Sequence, residues 1–319
     1  MSKLGRVSKT LSDNFDEDLL LQEPISVWRR TFKRLLSRRS GKIGLFLIGF
    51  IFLIAFTAPI IAPYDPHEVL IGKEIVKLKK REGPCIHMLG CDSAKPQHLM
   101  GIDGNYRDQF SRIIYGSRIS LSIGFSTVTF AVTGGVLLGA LAAFFGGWID
   151  NIIMRVMDVI LGFPSLLLAI AIVAVLGPGI RNALLAIAIV TLPAYARLTR
   201  ASVLTVKELD FVKASIALGA SPTRLLLFRI LPNSLTPIVV LATLGIATAI
   251  LDAAGLSFLG LGAQPPMPEW GTMLGSERNQ VFSAPHLVFF PGIAIMITVL
   301  AFNLFGDGLR DALDPRLND

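Results

Sequence analysis

Between Lys42 and Asp65 the chain carries no charged side chain and almost no polar one. A bilayer asks for a run of this kind: ~20 apolar residues at 1.5 Å rise cover its ~30 Å hydrocarbon core. No water is available there to satisfy backbone N–H and C=O groups, so such a run is a helix that bonds to itself. Five further segments have the same character, at roughly 119–145, 152–176, 183–196, 235–251 and 287–305. The 152–176 segment carries Arg155 and Asp158 near its start, and 183–196 is short and holds Pro193. Together with 43–62 they predict a bundle of six spans.

Composition fits that reading. Charged residues are 17% of the chain, where an ordinary soluble domain has about 25%. Two cysteines in 319 residues exclude a disulfide scaffold. The net charge of +7 does not point to nucleic acid, because the basic residues flank the spans, where they set orientation. Arg29, Arg30, Lys33, Arg34, Arg38, Arg39 and Lys42 precede the first span with no acid among them. The amino terminus is therefore expected in the cytoplasm, and six spans return the carboxyl terminus there. Residues 197–230, also basic, fall inside, and 64–118 falls outside. The outer loop carries nine basic residues, a count that only its seven acids and its distance from span ends excuse.

Residues 24–41 read as a separate helix begun by Pro24. Trp28, Phe32 and Leu35 share one face and cations cover the rest, the pattern of a helix lying in the membrane interface. Residues 1–23 read as a disordered tail, and 307–319 as a second tail. Gly135 and Gly139 form a GxxxG pair, which brings helices close in lipid, either within the bundle or at a subunit interface. Pro164, Pro193, Pro232, Pro237 and Pro291 predict bends.

The segment 197–232 is the most informative. A helical pattern runs to about Ala217, and Gly219-Ala220-Ser221 makes a turn. Ser221-Pro222 has the form of an N-cap with proline at the first helical position. Thr223 to Ile230 is expected as a short helix ended by Leu231-Pro232. The result is a protrusion with small residues at Ala214, Ser215, Ala217, Gly219 and Ala220, a shape another protein's groove can hold.

Lys213-Ala214-Ser215-x-x-x-Gly219 followed by Leu231-Pro232 resembles the EAA loop of binding-protein-dependent ABC importers. Further blocks resemble the dipeptide and oligopeptide permeases, C-type subunit: Ala62-Pro63-Tyr64-Asp65-Pro66; Arg107-Asp108-x-x-Ser111-Arg112-x-x-Tyr115-Gly116-x-Arg118; Gly147-Trp148-x-Asp150-Asn151; Leu256-Ser257-Phe258-Leu259-Gly260-Leu261-Gly262; and Gly306-Asp307-Gly308-Leu309-Arg310-Asp311-Ala312-Leu313-Asp314-Pro315-Arg316-Leu317. The resemblance implies an all-α, six-span type I importer permease in a bacterial or archaeal cytoplasmic membrane. It implies a homologous second permease, cytoplasmic ABC ATPase subunits and an extracytoplasmic solute-binding protein as partners. Lys213, Ala214, Ser215, Gly219, Ala220, Ser221 and Arg224 then carry the ATPase coupling. Lys213 departs from the family's usual Glu. The substrate class implied is di- or oligopeptides, with oligosaccharides, nickel complexes and antimicrobial peptides as alternatives. No GxxxxGK[ST] occurs, so ATP and Mg belong to partner subunits and the chain is expected to be non-catalytic.

Cys85 and Cys91 lie in the outer loop. A disulfide, free thiols, or a metal site with His87, Asp92 or His98 are all open readings, though C-x5-C is not a usual ligand spacing. Asp252 near the outer end of the fifth span is a candidate for lining the translocation path, or a helix-end residue bonded at the interface. An ion-coupled carrier buries more ionisable groups than these spans offer. An intramembrane enzyme lacks support: there is no HExxH and no paired membrane aspartate.

Overall fold

The computed structural model describes residues 27–74 and 78–313, with side chains from Thr31 onward. The expectations for residues 1–23, Pro24, the side chain of Trp28 and 314–319 concern positions outside that range. Helix α1 (Val27–Ser37) breaks at Arg38, whose backbone is extended, and α2 (Arg39–Ile61) follows. After a long loop comes α3 (Gln109–Phe145), then α4 (Gly147–Leu161), α5 (Ser165–Leu176) and α6 (Ile180–Lys207). Helix α7 (Asp210–Ala217) and α8 (Pro222–Leu225) form a hairpin. A π turn (Leu226–Ile230) joins α8 without a break to α9 (Leu231–Phe258). Short α10 (Trp270–Glu277) and long α11 (His286–Leu313) complete the order. The β features among the described residues are two isolated bridges, Cys85 with His98 and Ile102 with Asp108.

Among the described residues five helices are long and apolar enough to cross a membrane, and the α4–α5 pair makes a sixth crossing if counted as one broken span. The bend expected at Pro164 is sharp: the span read over 152–176 is two helices, α4 and α5, that meet at 93°. The break falls at Gly162-Phe163-Pro164, where proline has no N–H for the helical ladder and its ring disfavours helical backbone at Phe163. The 183–196 span is longer than its apolar run, because α6 continues through Arg197 and Arg200 to Lys207. Leu231-Pro232 does not end a helix, contrary to expectation. The wide π turn before it makes room for the Pro232 ring, which would otherwise meet the carbonyl of Phe228. The helical pattern to Ala217 is also interrupted, at Glu208 and Leu209.

At the centre α3 lies along α6. Gly135 abuts the Tyr195 Cβ and Gly139 abuts Ala196 and Thr199, so a Cβ at either glycine would overlap α6. The GxxxG pair thus packs two helices of one chain. Small residues let backbones approach closely where lipid gives no hydrophobic drive for association. Elsewhere Gly44 of α2 meets Leu304 and Phe305 of α11, and Gly308 of α11 meets Gly41. Ala140 and Ala143 of α3 share a cluster with Val203, Val212 and Ile230, so the α3 carboxyl end and the hairpin occupy one end of the bundle. Leu35 of α1 packs on Leu309 and Ala312 at the end of α11. The 62–108 loop, the start of α3 and α10 occupy the opposite end, where Ile113 packs on Trp270.

Candidate functional site

The hairpin is anchored from beneath and bare on top. Val212, Leu225 and Ile230 are buried against Val203 and Val206 of α6. Ile216, Leu218 and Phe228 are exposed, Leu218 to 89%. Uncovered large apolar groups around a small-residue turn mark an interaction surface. Helix α7 ends in a Schellman turn: Gly219 N–H donates to Ile216 O at 2.9 Å and Ala220 N–H to Ser215 O at 3.1 Å. Gly219 has φ +78°, a left-handed conformation that only glycine adopts without cost. Ser221 stands at the N-cap and Pro222 at the first turn as the sequence suggests, but the Ser221 side chain makes no capping bond. Of the small residues, Ala214, Ala217 and Gly219 are exposed, while Ser215 and Ala220 are half-buried. Ser215 Oγ donates to Phe211 O at 2.7 Å. Lys213 pairs with Glu208 at 3.3 Å, and both side chains are largely exposed. Arg224 is exposed.

Behind the hairpin, α4 is tied to α6. Arg200 holds Asp150 with both its Nε and Nη2, and Arg197 pairs with Asp158. Sequence reasoning placed Asp150 in a resemblance block without seeing this partner fifty positions away.

At the far end, the loop is stitched down by buried polar groups. Asp108 caps α3, accepting from the Ser111 N–H and hydroxyl at 2.7 Å each. Its second oxygen lies 2.8 Å from His98 Nδ1, and His98 Nε2 faces Glu74 at 3.2 Å. Burial works against the charge on His98, but the hydrogen bond and charge of Asp108 and then Glu74 outweigh it, and its pKa is raised. Tyr64 stacks on His98 and donates to Glu74 at 3.0 Å; burial first, then Glu74, push its pKa up to about 12. Arg112, almost fully buried, donates to the Pro66 carbonyl at 2.8 Å and the Pro266 carbonyl at 3.2 Å. Glu269 caps α10, accepting from the N–H groups of Gly271 and Thr272. The spacing Asp108-x-x-Ser111 was the one available signal, a capping pattern ahead of an apolar run.

Cys85 and Cys91 are joined as a disulfide in the structure, and Cys85 bridges through its backbone to His98. The described residues contain no cluster of His, Cys, Asp or Glu fit to hold a metal, and His98 is engaged by two carboxylates. Asp252 lies within α9, not at its end. It faces a cleft between α9, α10 and α11.

Residues 135–319 match the family described as binding-protein-dependent transport system inner membrane component, and residues 26–78 match the N-terminal transmembrane domain of oligopeptide transport permease C. The chain is 47% identical to the dipeptide transport system permease protein DppC of Alkalihalophilus pseudofirmus, over 92% of this chain and 91% of that one. It is 46% identical to the di/tripeptide transport system permease protein DppC of Pseudomonas aeruginosa, over 95% and 96%. It is 44% identical to the glutathione transport system permease protein GsiD of Pectobacterium atrosepticum, over 91% and 90%. Its fold is similar to that of an inward-facing crystal form of the MetNI methionine ABC transporter: TM-score 0.53 and 18% identity, covering 64% of this chain and 97% of that one.

Proposed function

Because this chain belongs to the family of inner membrane components of binding-protein-dependent transport systems, we propose that it forms half of the path of an ATP-driven importer of short peptides. The 209–230 hairpin carries the reading: a rigidly bedded knob whose apolar crown is left uncovered by the described residues. In this reading the knob sits in a groove of a cytoplasmic ATPase subunit that supplies ATP and Mg. The amino terminus, the hairpin and Leu313 then face the cytoplasm, in keeping with the cations at Lys33, Arg34, Arg38, Arg39 and Lys42. The stitched loop at the other end receives an extracytoplasmic solute-binding protein, and a homologous second permease completes the path.

The mechanism is a two-state rocking of packed helices. ATP binding draws the ATPase subunits together and displaces the knob. The knob passes that displacement on because α8, the π turn and α9 are one continuous helical run. Packed helix interfaces switch between discrete arrangements rather than deforming continuously, so a small push selects between them. Relatives named for dipeptides, di/tripeptides and glutathione support short peptides as cargo.

Gly219→Trp tests this reading. The position has open space around it, so the strain of a side chain at this left-handed residue is confined to the exposed turn, and the variant should insert and fold. It should lose co-purification of the ATPase subunits and lose transport. Normal assembly and uptake by that variant would remove the hairpin from the coupling role.

A further inference from the structure

A cleft of about 790 Å³ runs along the bundle between α9, α10 and α11, with the start of α5 at its edge. Its walls are apolar, among them Leu251, Phe258, Met296 and Leu300. Two polar side chains interrupt them, Asp252 from α9 and Asn303 from α11. Neither makes a side-chain hydrogen bond or ion pair among the described residues. The two carboxylates of α4, by contrast, are matched: Asp150 by Arg200 and Asp158 by Arg197.

An ionisable side chain at membrane depth is costly unless it faces water or a partner of opposite charge. Among the described residues Asp252 has no such partner, so the matching charge is left to water or to a molecule that enters the cleft. The cleft is far roomier than one ion pair needs and falls within the ~300–1,000 Å³ of small-molecule sites. A short peptide offers a compact ammonium at one end and amide groups behind it. That is the pattern a carboxylate and a carboxamide in one groove complement, since an ammonium donates to Asp and an amide carbonyl accepts from Asn.

We infer that Asp252 is the station that holds the ammonium of a peptide's amino terminus during passage, with Asn303 bonding the backbone behind it. This rests on the peptide-import reading above. It makes Asp252 a specificity-determining residue of the path, separate from the binding protein that delivers the cargo. An apolar groove would otherwise reject a cation leaving water, and the carboxylate offsets that loss at the depth where it occurs.

The test uses the complete importer in proteoliposomes: this chain, its second permease, its ATPases and its binding protein. Initial uptake of dialanine is compared with that of N-propionyl-alanine, the same shape without the ammonium. Asp252→Asn should lower dialanine uptake at least about tenfold and leave N-propionyl-alanine unchanged, because only the charged cargo loses a partner. Asp252→Glu should restore most of the loss. Stimulation of ATPase by the loaded binding protein should persist in all three, which a collapsed bundle would not allow. Equal dialanine uptake by wild type and Asp252→Asn overturns the inference. So does loss of the second permease from purified Asp252→Asn complex, which would make Asp252 an interface ion pair. A wild-type complex that carries neither compound overturns the peptide reading itself, and the inference with it.

Discussion

The guanidinium of Arg200 closes on the carboxylate of Asp150 like a fork, Nε to Oδ1 and Nη2 to Oδ2, each at 2.6 Å. The pair joins the first turn of α4 to α6, so it holds the first half of the bent span against the helix that leads to the hairpin. Arg200→Lys keeps the charge but cannot make two parallel bonds. We expect it to cost about 1 kcal/mol, since the pair is part-exposed, read as a lowered thermal midpoint of the purified protein. Asp158→Asn should have a smaller effect, because its pair with Arg197 is about half exposed. An equal drop for both would show that the fork geometry contributes nothing.

Gly139 is the tightest test of the bundle centre. A side chain there collides with the Ala196 carbonyl, backbone that cannot step aside, and with the Thr199 Cβ. Gly139→Leu should cost about 3 kcal/mol or more and sharply reduce the monodisperse fraction after solubilisation. Gly49→Leu is the control: it lies on α2 with open space around it and should purify like wild type.

Removing the Cys85–Cys91 bond should loosen the outer loop and leave the spans alone. Closing a loop this short limits the unfolded chain by about 2 kcal/mol. Cys85→Ser with Cys91→Ser should speed proteolysis within 79–95 several-fold without altering the thermal unfolding of the bundle. In the wild-type protein, alkylation should add mass at both cysteines only after reduction.

His98 makes that loop pH-sensitive, and the direction follows from its raised pKa. The charged imidazole is favoured in the folded loop, beside Asp108 and Glu74. Its stabilisation is full below the ordinary histidine value of 6.5 and is lost as pH rises through the raised value. Amide exchange in residues 98–108 should therefore be slower at pH 6 than above neutrality, after correction for intrinsic rates. His98→Gln should abolish that difference.

Apolar run length alone located the membrane helices, because a bilayer leaves a 20-residue apolar segment no other way to satisfy its backbone. The same reasoning marked the Gly219 turn, since a left-handed residue between two helical patterns calls for glycine. At the prolines it foresaw a disturbance but not its form: proline removes a bond, and whether the chain breaks or adapts depends on its surroundings. At Pro164 the chain turns through 93°, while at Pro232 a π turn takes up the ring and the helix runs on.

The sequence by itself therefore determined which segments are apolar enough to cross, their order and the protruding turn, all of which follow from local hydropathy and backbone preference. Only the tertiary structure decided which charges meet and which stand alone. Arg200 finds Asp150 across fifty residues, and Asp252 turns into an apolar cleft with no cation of its own. Pairing of this kind depends on how helices lean on one another through Gly135 and Gly139, a three-dimensional fit that no short window of residues encodes.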